Sequence, residues 1–146
     1  MLKLSKKADY GLIALKHLAT RAGEGACSAA DIAGRYRIST PLMAKILQKL
    51  AKQGLVAARH GSGGGYRLAK NPAEITALDV IHAIDGPQYV TSCVTSHGEC
   101  RQTLTCTVRE PLRRVNDSIL EVLKGVTILQ MSDEPSGGAV VELRTL

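Results

Sequence analysis

Three of the four cysteines lie within 14 residues of one another, in the pattern Cys93-x6-Cys100-x5-Cys106. Thiolates are soft ligands that suit iron–sulfur clusters and zinc. Structural zinc usually draws paired C-x(2–4)-C knuckles, whereas wider and unequal gaps favour a bulkier group such as a cluster. The spacing therefore indicates a metal site, with an iron–sulfur cluster favoured over a single zinc ion. A thiol–disulfide switch and chemically idle thiols are the alternatives that spacing leaves open.

We expect all four cysteines of the chain to be in the reduced, thiol form. The N-terminal MLKLSKKADYG has neither the apolar run nor the cleavage site of a signal peptide, so we expect a cytoplasmic protein with free thiols. Cys27 stands apart from the other three, and we interpret it as a small hydrophobic core residue.

Length and composition exclude several classes of protein. The chain has 146 residues, of which 45 % are apolar, with no Trp or Phe and four Tyr. This is the size of one domain, or of a small domain with an arm, and no stretch approaches the roughly 20 apolar residues of a membrane span. A membrane protein, a secreted disulfide scaffold and a large multidomain enzyme are excluded on these grounds.

Charge divides the chain into two unequal halves. Residues 1–75 hold 13 Lys and Arg against 4 Asp and Glu, while residues 76–146 hold 6 against 9. Such asymmetry indicates a polyanionic partner for the first half, although a basic solvated surface would have the same composition.

The basic half has the pattern of a helix-turn-helix. A first helix is predicted from Lys6 to Arg21, a second after the capping-box pair Ser28 and Asp31, and a third from Thr40 to a stop at Gly54. The positions predicted to point inward on the second and third helices are Ile32, Ala33, Tyr36, Met43, Ile46, Leu47 and Leu50.

Two short strands follow the third helix. Leu55–Arg59 and Tyr66–Ala69 flank the segment His60–Gly65, which holds four glycines that permit a tight turn. A basic hairpin directly after a helix-turn-helix is typical of the wing of a winged-helix DNA-binding domain. The expected fold is therefore mainly α with a small β-wing.

The second half carries one more short helix and one long helix. Thr76 opens a helix that buries Leu78, Ile81 and Ile84 and ends at Gly86, and an unpatterned segment with the three cysteines follows. An apolar stripe along the long helix predicts a dimerisation surface, with packing onto its own domain as the alternative. The stripe comprises Val108, Leu112, Val115, Ile119, Val122 and Leu123. The predicted units are a DNA-binding domain at 1–86, a cysteine loop at 87–107, a dimerisation helix at 108–131 and a flexible tail at 132–146.

These elements and their local motifs resemble the Rrf2 family of bacterial transcriptional regulators. The resemblance extends to about Met131 and rests on LSKKADYG, GSGGGYRLAK, CVTSHGECRQTLTC and VNDSILEVLKGVTILQM. The pair Val108-Arg109 after the third cysteine is most similar to the Suf-system branch of the family. The resemblance implies a homodimeric, cytoplasmic regulator of iron–sulfur assembly genes, expected to be a repressor. It also implies an iron–sulfur cluster, 2Fe–2S favoured over 4Fe–4S, and a double-stranded DNA operator as partner.

The family resemblance leaves the fourth cluster ligand open. Isc-type relatives place a histidine three residues after the third cysteine, where this chain has Arg109, which cannot ligate. The candidates are His97 within the loop, Glu110 just beyond it, and Asp9, whose position is similar to one that nitric-oxide-sensing relatives use across the dimer. His97 as a solvated loop residue and Asp9 as a carboxylate at the positive end of its helix are the ordinary alternatives.

Candidate DNA contacts lie at helix starts, on the third helix and beside the wing. Hydroxyls and free N–H groups at helix N-termini bind phosphate, and a glutamine can pair with adenine in the major groove. Isc-type relatives have an arginine before the first wing glycine, where this chain has His60. The predicted DNA-binding residues are Ser28, Ser39, Thr40, Lys45, Gln48, Lys49, Arg59, His60 and Arg67.

Other classes of function have less support. The sequence has no Ser/His/Asp set, phosphate-binding loop or paired-carboxylate pattern, so we expect no enzyme and no small-molecule substrate. Two alternatives keep the DNA-binding fold: the cysteines as a thiol redox switch or zinc site, and a nitric-oxide-sensing repressor. A protein-interaction module with an incidental basic face is a third.

Overall fold

The computed structural model describes residues 3–94 and 100–133, which fold mainly into α-helices with one small sheet. The helices are α1 Lys6–Thr20, α2 Ala29–Tyr36, α3 Thr40–Lys52, α4 Ala77–Asp85, α5 Arg109–Gly125 and α6 Ile128–Asp133. The strands are β1 Val56–Arg59 and β2 Gly65–Leu68, and short 3-10 turns occupy Pro72–Glu74 and Ser92–Val94. The predicted mainly α fold with a β-wing is confirmed.

Side-chain caps define where the N-terminal helices begin. The Ser5 hydroxyl accepts a hydrogen bond from a first-turn N–H of α1. Capping boxes join Ser28 to Asp31 at α2 and Thr76 to Asp79 at α4, as the sequence predicts. Each cap satisfies backbone donors that a helix start leaves without partners.

The turn between α2 and α3 completes the helix-turn-helix. Arg37 adopts a left-handed conformation (φ 55°), and the N–H of Ile38 donates to the carbonyl of Ala33 at 2.9 Å, which ends α2. The predicted inward face of α3 is buried. Tyr36 is the exception on α2, because it remains 39 % exposed and its hydroxyl lies 3.0 Å from Nδ1 of the buried His17.

The wing is an antiparallel hairpin tied to the start of α2. Val56 pairs with Leu68 and Arg59 with Gly65, while Tyr66 exchanges two backbone hydrogen bonds with Cys27, at 2.7 and 2.9 Å. A Cβ at Gly65 would lie 2.4 Å from the Cys27 carbonyl oxygen, and its φ is +152°. Only glycine lets the wing approach the backbone of α2 this closely.

The long C-terminal helix is shorter than predicted. The expectation of one helix over 108–131 is wrong beyond Gly125, because Val126 is extended and a separate helix, α6, begins at Ile128. Glycine and β-branched residues at this point disfavour helix continuation. The chain instead pairs with the segment before α4: the N–H of Ala77 donates to Val126 at 2.8 Å, and that of Ile128 donates to Ile75 at 2.9 Å.

The return of the chain brings α6 into the core of the N-terminal domain. Ile128 is fully buried with residues of α1, α2, α3, α4 and β1. The first two residues of the predicted tail, Ser132 and Asp133, belong to α6, and residues 134–146 lie outside the described part of the chain. None of the helices in residues 3–94 and 100–133 has the length and apolar character needed to cross a membrane.

Candidate nucleic-acid interface and cysteine loop

One face of α3 is exposed and polar. Because the opposite face is buried in the core, Thr40, Lys45 and Gln48 point away from the domain and are exposed. The first-turn N–H groups of α3 are mostly used within the chain: that of Leu42 donates to the Ser39 hydroxyl, that of Met43 donates to the Ser39 carbonyl, and Pro41 has none. This face has the shape and chemistry of a helix that enters a major groove.

The two predicted serine contacts also serve as helix caps. The hydroxyl oxygen of Ser28 accepts from the N–H of Asp31 at 3.0 Å, and that of Ser39 accepts from the N–H of Leu42 at 3.4 Å. A hydroxyl keeps its own hydrogen when it accepts, so both serines can still donate to a phosphate oxygen.

Lys49 has an intramolecular partner that the sequence did not indicate. Its ammonium donates to the carbonyl oxygen of Ile84, in the last turn of α4, at 3.2 Å. The residue remains exposed on the same helix as Lys45 and Gln48. Lys49 is therefore both a candidate DNA contact and a link between α3 and α4.

The wing presents its basic residues on one face. Arg59 pairs with Gly65 and Arg67 with Ala57, and this register places both guanidinium groups on the same side of the hairpin. Both arginines and His60 are exposed. The wing thus adds exposed positive charge beside α3 and the start of α2.

The three clustered cysteines lie in the segment that joins the DNA-binding domain to α5. Cys93 belongs to the 3-10 turn at Ser92–Val94, and its Sγ lies 3.0 Å from the Thr91 hydroxyl. Cys100 begins a turn in which Thr103 donates to the Cys100 carbonyl through both its N–H, at 3.1 Å, and its hydroxyl, at 2.6 Å. Cys93, Cys100 and Cys106 are unpaired thiols of intermediate exposure.

The thiols have the right chemistry for a cluster but are not gathered around one point. Among the described residues, no three His, Cys, Asp or Glu side chains are close enough to hold a metal ion. Three reachable thiols in one segment are nevertheless a donor set that suits iron and sulfide. The loop would therefore have to close around such a group when binding it.

The fourth-ligand candidates differ in their surroundings. Arg113 donates to both carboxylate oxygens of Glu110, at 3.0 and 2.9 Å, and this interaction holds the pKa of Glu110 below its ordinary value. Asp9 lies 3.9 Å from Lys6 and its side chain is 46 % exposed. His97 lies outside the described residues.

Cys27 differs from the other three cysteines. It is 8 % exposed and belongs to the hydrophobic core, as predicted. Burial raises the pKa of its thiol, so the reactive thiolate is less populated there.

Comparison with known proteins assigns residues 4–134 to the Rrf2 family, which is described as an iron-dependent transcriptional regulator. The chain belongs to the Rrf2 family. It is 35 % identical over 127 residues to the HTH-type transcriptional regulator IscR of Aliivibrio salmonicida, across 87 % of this chain and 75 % of that protein. It is 31 % identical to the HTH-type transcriptional regulator NsrR of Geobacillus kaustophilus, across 91 % of each chain.

A solved structure agrees with the family assignment. The fold matches CymR, the global cysteine regulator of B. subtilis, with a TM-score of 0.78 and 32 % identity, across 90 % of this chain and 97 % of that one. The Rrf2 chain described here is therefore a winged-helix, DNA-binding transcriptional regulator and not an enzyme. These relatives carry three different names, IscR, NsrR and CymR. Membership of the family therefore does not by itself identify the signal to which this regulator responds.

Among residues 3–94 and 100–133, nothing covers an apolar groove on the fifth helix of this Rrf2 chain. Its lining residues are Arg114, Val115, Ser118, Ile119, Val122 and Leu123. Val115 is 48 % exposed and Val122 is 67 % exposed, whereas Leu123 packs against the domain core. Of the predicted apolar stripe, Val108 precedes the helix and is also exposed.

Two polar residues near the cysteine loop were missed by the sequence reasoning. Asn116 is 3 % exposed on α5, and its side-chain oxygen accepts from the N–H of Val90 at 3.0 Å. Asp85 accepts from both the N–H and the hydroxyl of Ser5, at 3.2 and 2.6 Å. An asparagine beside the apolar stripe was a visible signal, but its partner lies 26 residues away in sequence.

Proposed function

We propose that this protein is a homodimeric, cytoplasmic repressor of iron–sulfur assembly genes whose DNA affinity responds to an iron–sulfur cluster, with 2Fe–2S favoured over 4Fe–4S. The observation that carries the proposal is the position of three free, half-buried thiols in the one segment that joins the DNA-binding domain to α5. The description of the family as iron-dependent agrees with such a ligand.

Cys93, Cys100 and Cys106 would hold the cluster as thiolates. Bound there, it supplies an iron- and redox-sensitive cross-link within the loop. Because Arg113 already occupies both oxygens of Glu110, Asp9 is the more available of the two described carboxylates. A carboxylate ligand exchanges more readily with solvent than a thiolate, which suits a sensor.

A second copy of the chain is the proposed occupant of the α5 groove. Apolar side chains exposed to this extent on a helix of about 25 Å favour association with an equivalent helix. A twofold dimer would also place two α3 helices for half-sites roughly 34–36 Å apart.

DNA recognition is assigned to the exposed face of α3 and the wing. Lys45 and Gln48 would enter the major groove, while Arg59, His60 and Arg67 would contact the backbone or a minor groove. We expect the dimer to exchange between two states that differ in DNA affinity. A cluster in the cysteine loop can change that affinity only by stabilising one of the two states more than the other. A coupling of about 1–3 kcal/mol corresponds to roughly 5–150-fold in affinity.

The test begins with protein purified without oxygen. We expect visible charge-transfer bands with iron and acid-labile sulfide in stoichiometric amounts, and a DNA affinity for promoters of iron–sulfur assembly genes that changes when the cluster is removed. Cys100→Ser should abolish both the bands and the affinity change, while Cys27→Ser should preserve them because Cys27 is a core residue.

A colourless protein that takes up neither iron nor sulfide on reconstitution would overturn the cluster assignment. Unchanged cluster dependence in Cys100→Ser would remove Cys100 from the ligand set. Sedimentation of the same samples checks the dimer, since a monomer at the concentrations that bind DNA would contradict it.

A thiol switch is the second candidate function. It is favoured by the contact of 3.0 Å between Cys93 Sγ and the Thr91 hydroxyl, which places a polar group at an accessible thiol, and by similarity to a cysteine regulator. In this case the iron-free protein changes DNA affinity when treated with an oxidant. Intact mass would then show the loss of two hydrogens per disulfide formed among Cys93, Cys100 and Cys106.

A further inference from the structure

The last turn of α4 is held by a residue of α3. The Lys49 ammonium donates to the Ile84 carbonyl at 3.2 Å, although the two residues are 35 positions apart. The last four carbonyls of a helix have no following helical N–H, and a cation near this end is favoured by the helix dipole. Lys49 therefore supplies α4 with a partner that its own helix cannot.

The same turn is also fixed to α1. The carboxylate of Asp85 accepts from the N–H and the hydroxyl of Ser5, which is the residue that caps α1. Gly86 directly follows α4 and has a φ of +77°. The C-terminal end of α4 is thus the point where α1, α3 and the start of the cysteine loop meet.

The first part of the cysteine loop has its own anchors. The Gln88 amide donates to the Gly86 carbonyl at 3.0 Å, and the N–H of Val90 donates to the buried Asn116 at 3.0 Å. Thr91 then contacts Cys93. Of these contacts, the Val90–Asn116 hydrogen bond ties the segment to α5, while the other two lie within the loop and limit its freedom between Gly86 and Cys93. A change at Cys93 is therefore expected to alter the residues that follow the end of α4.

We propose that Lys49 is a positioning residue that couples the cysteine loop to DNA. Its ammonium lies on the same helix as Lys45 and Gln48, so the position of the Ile84 carbonyl determines how that ammonium is presented to a phosphate. This inference rests on the DNA-binding role of α3 in the proposed function, but it does not require a cluster. Because coupling between sites is reciprocal, DNA bound at α3 must also alter the stability of the loop.

The experiment measures amide hydrogen exchange over residues 86–94 in the cluster-free, full-length protein. A mixed-sequence duplex of about 30 base pairs is added to saturation at low salt, where non-specific binding is strong. In the wild type we expect DNA to change the exchange rates of this segment by about fivefold or more. In Lys49→Met that change should disappear.

Lys45→Met is the matched control. It removes the same charge from the same exposed helix, and each variant should reduce the salt dependence of DNA binding by about one phosphate contact. We expect Lys45→Met to retain the exchange response of residues 86–94, since Lys45 does not hold α4. An absent response in the wild type, a retained response in Lys49→Met, or a lost response in Lys45→Met would each overturn the inference.

A second readout needs no DNA. Loss of the Lys49 hydrogen bond should loosen the end of α4. Iodoacetamide should then alkylate Cys93 several-fold faster in Lys49→Met than in Lys45→Met, and the buried Cys27 serves as the internal reference. Equal Cys93 rates in the two variants would reject the coupling even if Lys49→Met no longer binds DNA. A protein that never takes up a cluster would overturn the cluster assignment but leave both readouts unchanged.

Discussion

The DNA-binding domain and the segment formed by the cysteine loop and α5 are stabilised in different ways. Helices α1, α2, α3 and α4 each begin with a capping serine or threonine and bury an apolar face. The α5 helix begins at Arg109, after an N-cap residue, Val108, that makes no side-chain hydrogen bond, and the residue it buries is the polar Asn116. The first region completes its core within the chain, whereas the second presents apolar side chains outward.

This difference indicates what each region needs for its stability. The N-terminal domain is closed by α6, which returns the chain to the core after α5. The α5 helix leaves Val115 and Val122 largely exposed. We expect substitutions in the domain to change its free energy of unfolding, and substitutions on α5 to change association.

The largest effect is expected from a leucine in the core of α3. Leu47→Ala should lower the free energy of unfolding by about 2–5 kcal/mol, because Leu47 is fully buried and its loss leaves a cavity. Leu104→Ala, in the cysteine loop, makes the same chemical change at a side chain that is 99 % exposed. Urea unfolding should place Leu104→Ala within about 0.5 kcal/mol of the wild type. Equal costs at the two sites would refute the comparison.

Two glycine-to-alanine substitutions test the close contact between the wing and the start of α2. Gly65→Ala should cost about 1–3 kcal/mol, because the added Cβ meets the Cys27 backbone and φ is positive. Gly34→Ala, within α2, has open space around its Cβ and should stabilise the protein by roughly 0.5–1 kcal/mol. Thermal or urea unfolding of both variants measures the difference, and a neutral Gly65→Ala would contradict the close approach.

A charged substitution on the exposed face of α5 should affect dimer association without affecting the folding of the subunit. Val122→Glu should weaken dimerisation by about tenfold or more, equivalent to roughly 1.4 kcal/mol, because a carboxylate would be buried between subunits. Lys124→Glu places a glutamate on the same helix outside the groove and should leave the dimer intact. Sedimentation equilibrium provides the measurement. A dimer unaffected by Val122→Glu would assign the interface to another surface.

The smallest expected effect is a pH dependence that belongs to the DNA-binding domain. Burial lowers the pKa of His17 from 6.5, and the nearby Arg21 and Arg35 lower it further, against Glu24 and Asp31, which raise it. The unfolded chain therefore binds the proton of His17 more readily than the folded chain. The free energy of unfolding should fall as pH decreases below about 6.5, and the contribution of neutral His17 to stability is complete above that pH.

The loss of unfolding free energy between pH 7.5 and 5.5 should be smaller in His17→Gln than in the wild type, and the two losses should differ by less than about 1 kcal/mol. The exposed wing residue His60 offers a control, and His60→Gln should retain the wild-type dependence. Urea unfolding at the two pH values gives the comparison. A wild-type slope in His17→Gln would show that another group is responsible.

Much of the fold was predictable because its signals are local. The capping boxes at Ser28 and Thr76 and the inward face of α3 depend on residues three or four positions apart. The inward placement of Tyr36 was wrong because its ring stays 39 % exposed while its hydroxyl contacts the buried His17, 19 positions away. The break after Gly125 was missed because an apolar stripe continues across it, and the pairing with Ile75 and Ala77 that stabilises it is not visible in the stripe.

The candidate site divides in the same way. Spacing marked Cys93, Cys100 and Cys106 as candidate ligands, and composition marked the first half of the chain as basic. The contacts that tie the cysteine loop to the rest of the molecule were not predictable, since Lys49 and Ile84, or Val90 and Asn116, have no relation of period or motif.

By itself the sequence determined the helix-turn-helix, the wing, the cysteine spacing and the family, because these reside in short segments whose geometry neighbouring residues impose. Tertiary structure alone decided that α6 closes the domain core, that Asn116 fastens the loop to α5, and that Lys49 and Asp85 hold the end of α4. Those contacts depend on the path of the whole chain, which brings distant polar groups within hydrogen-bonding distance only after the core has packed.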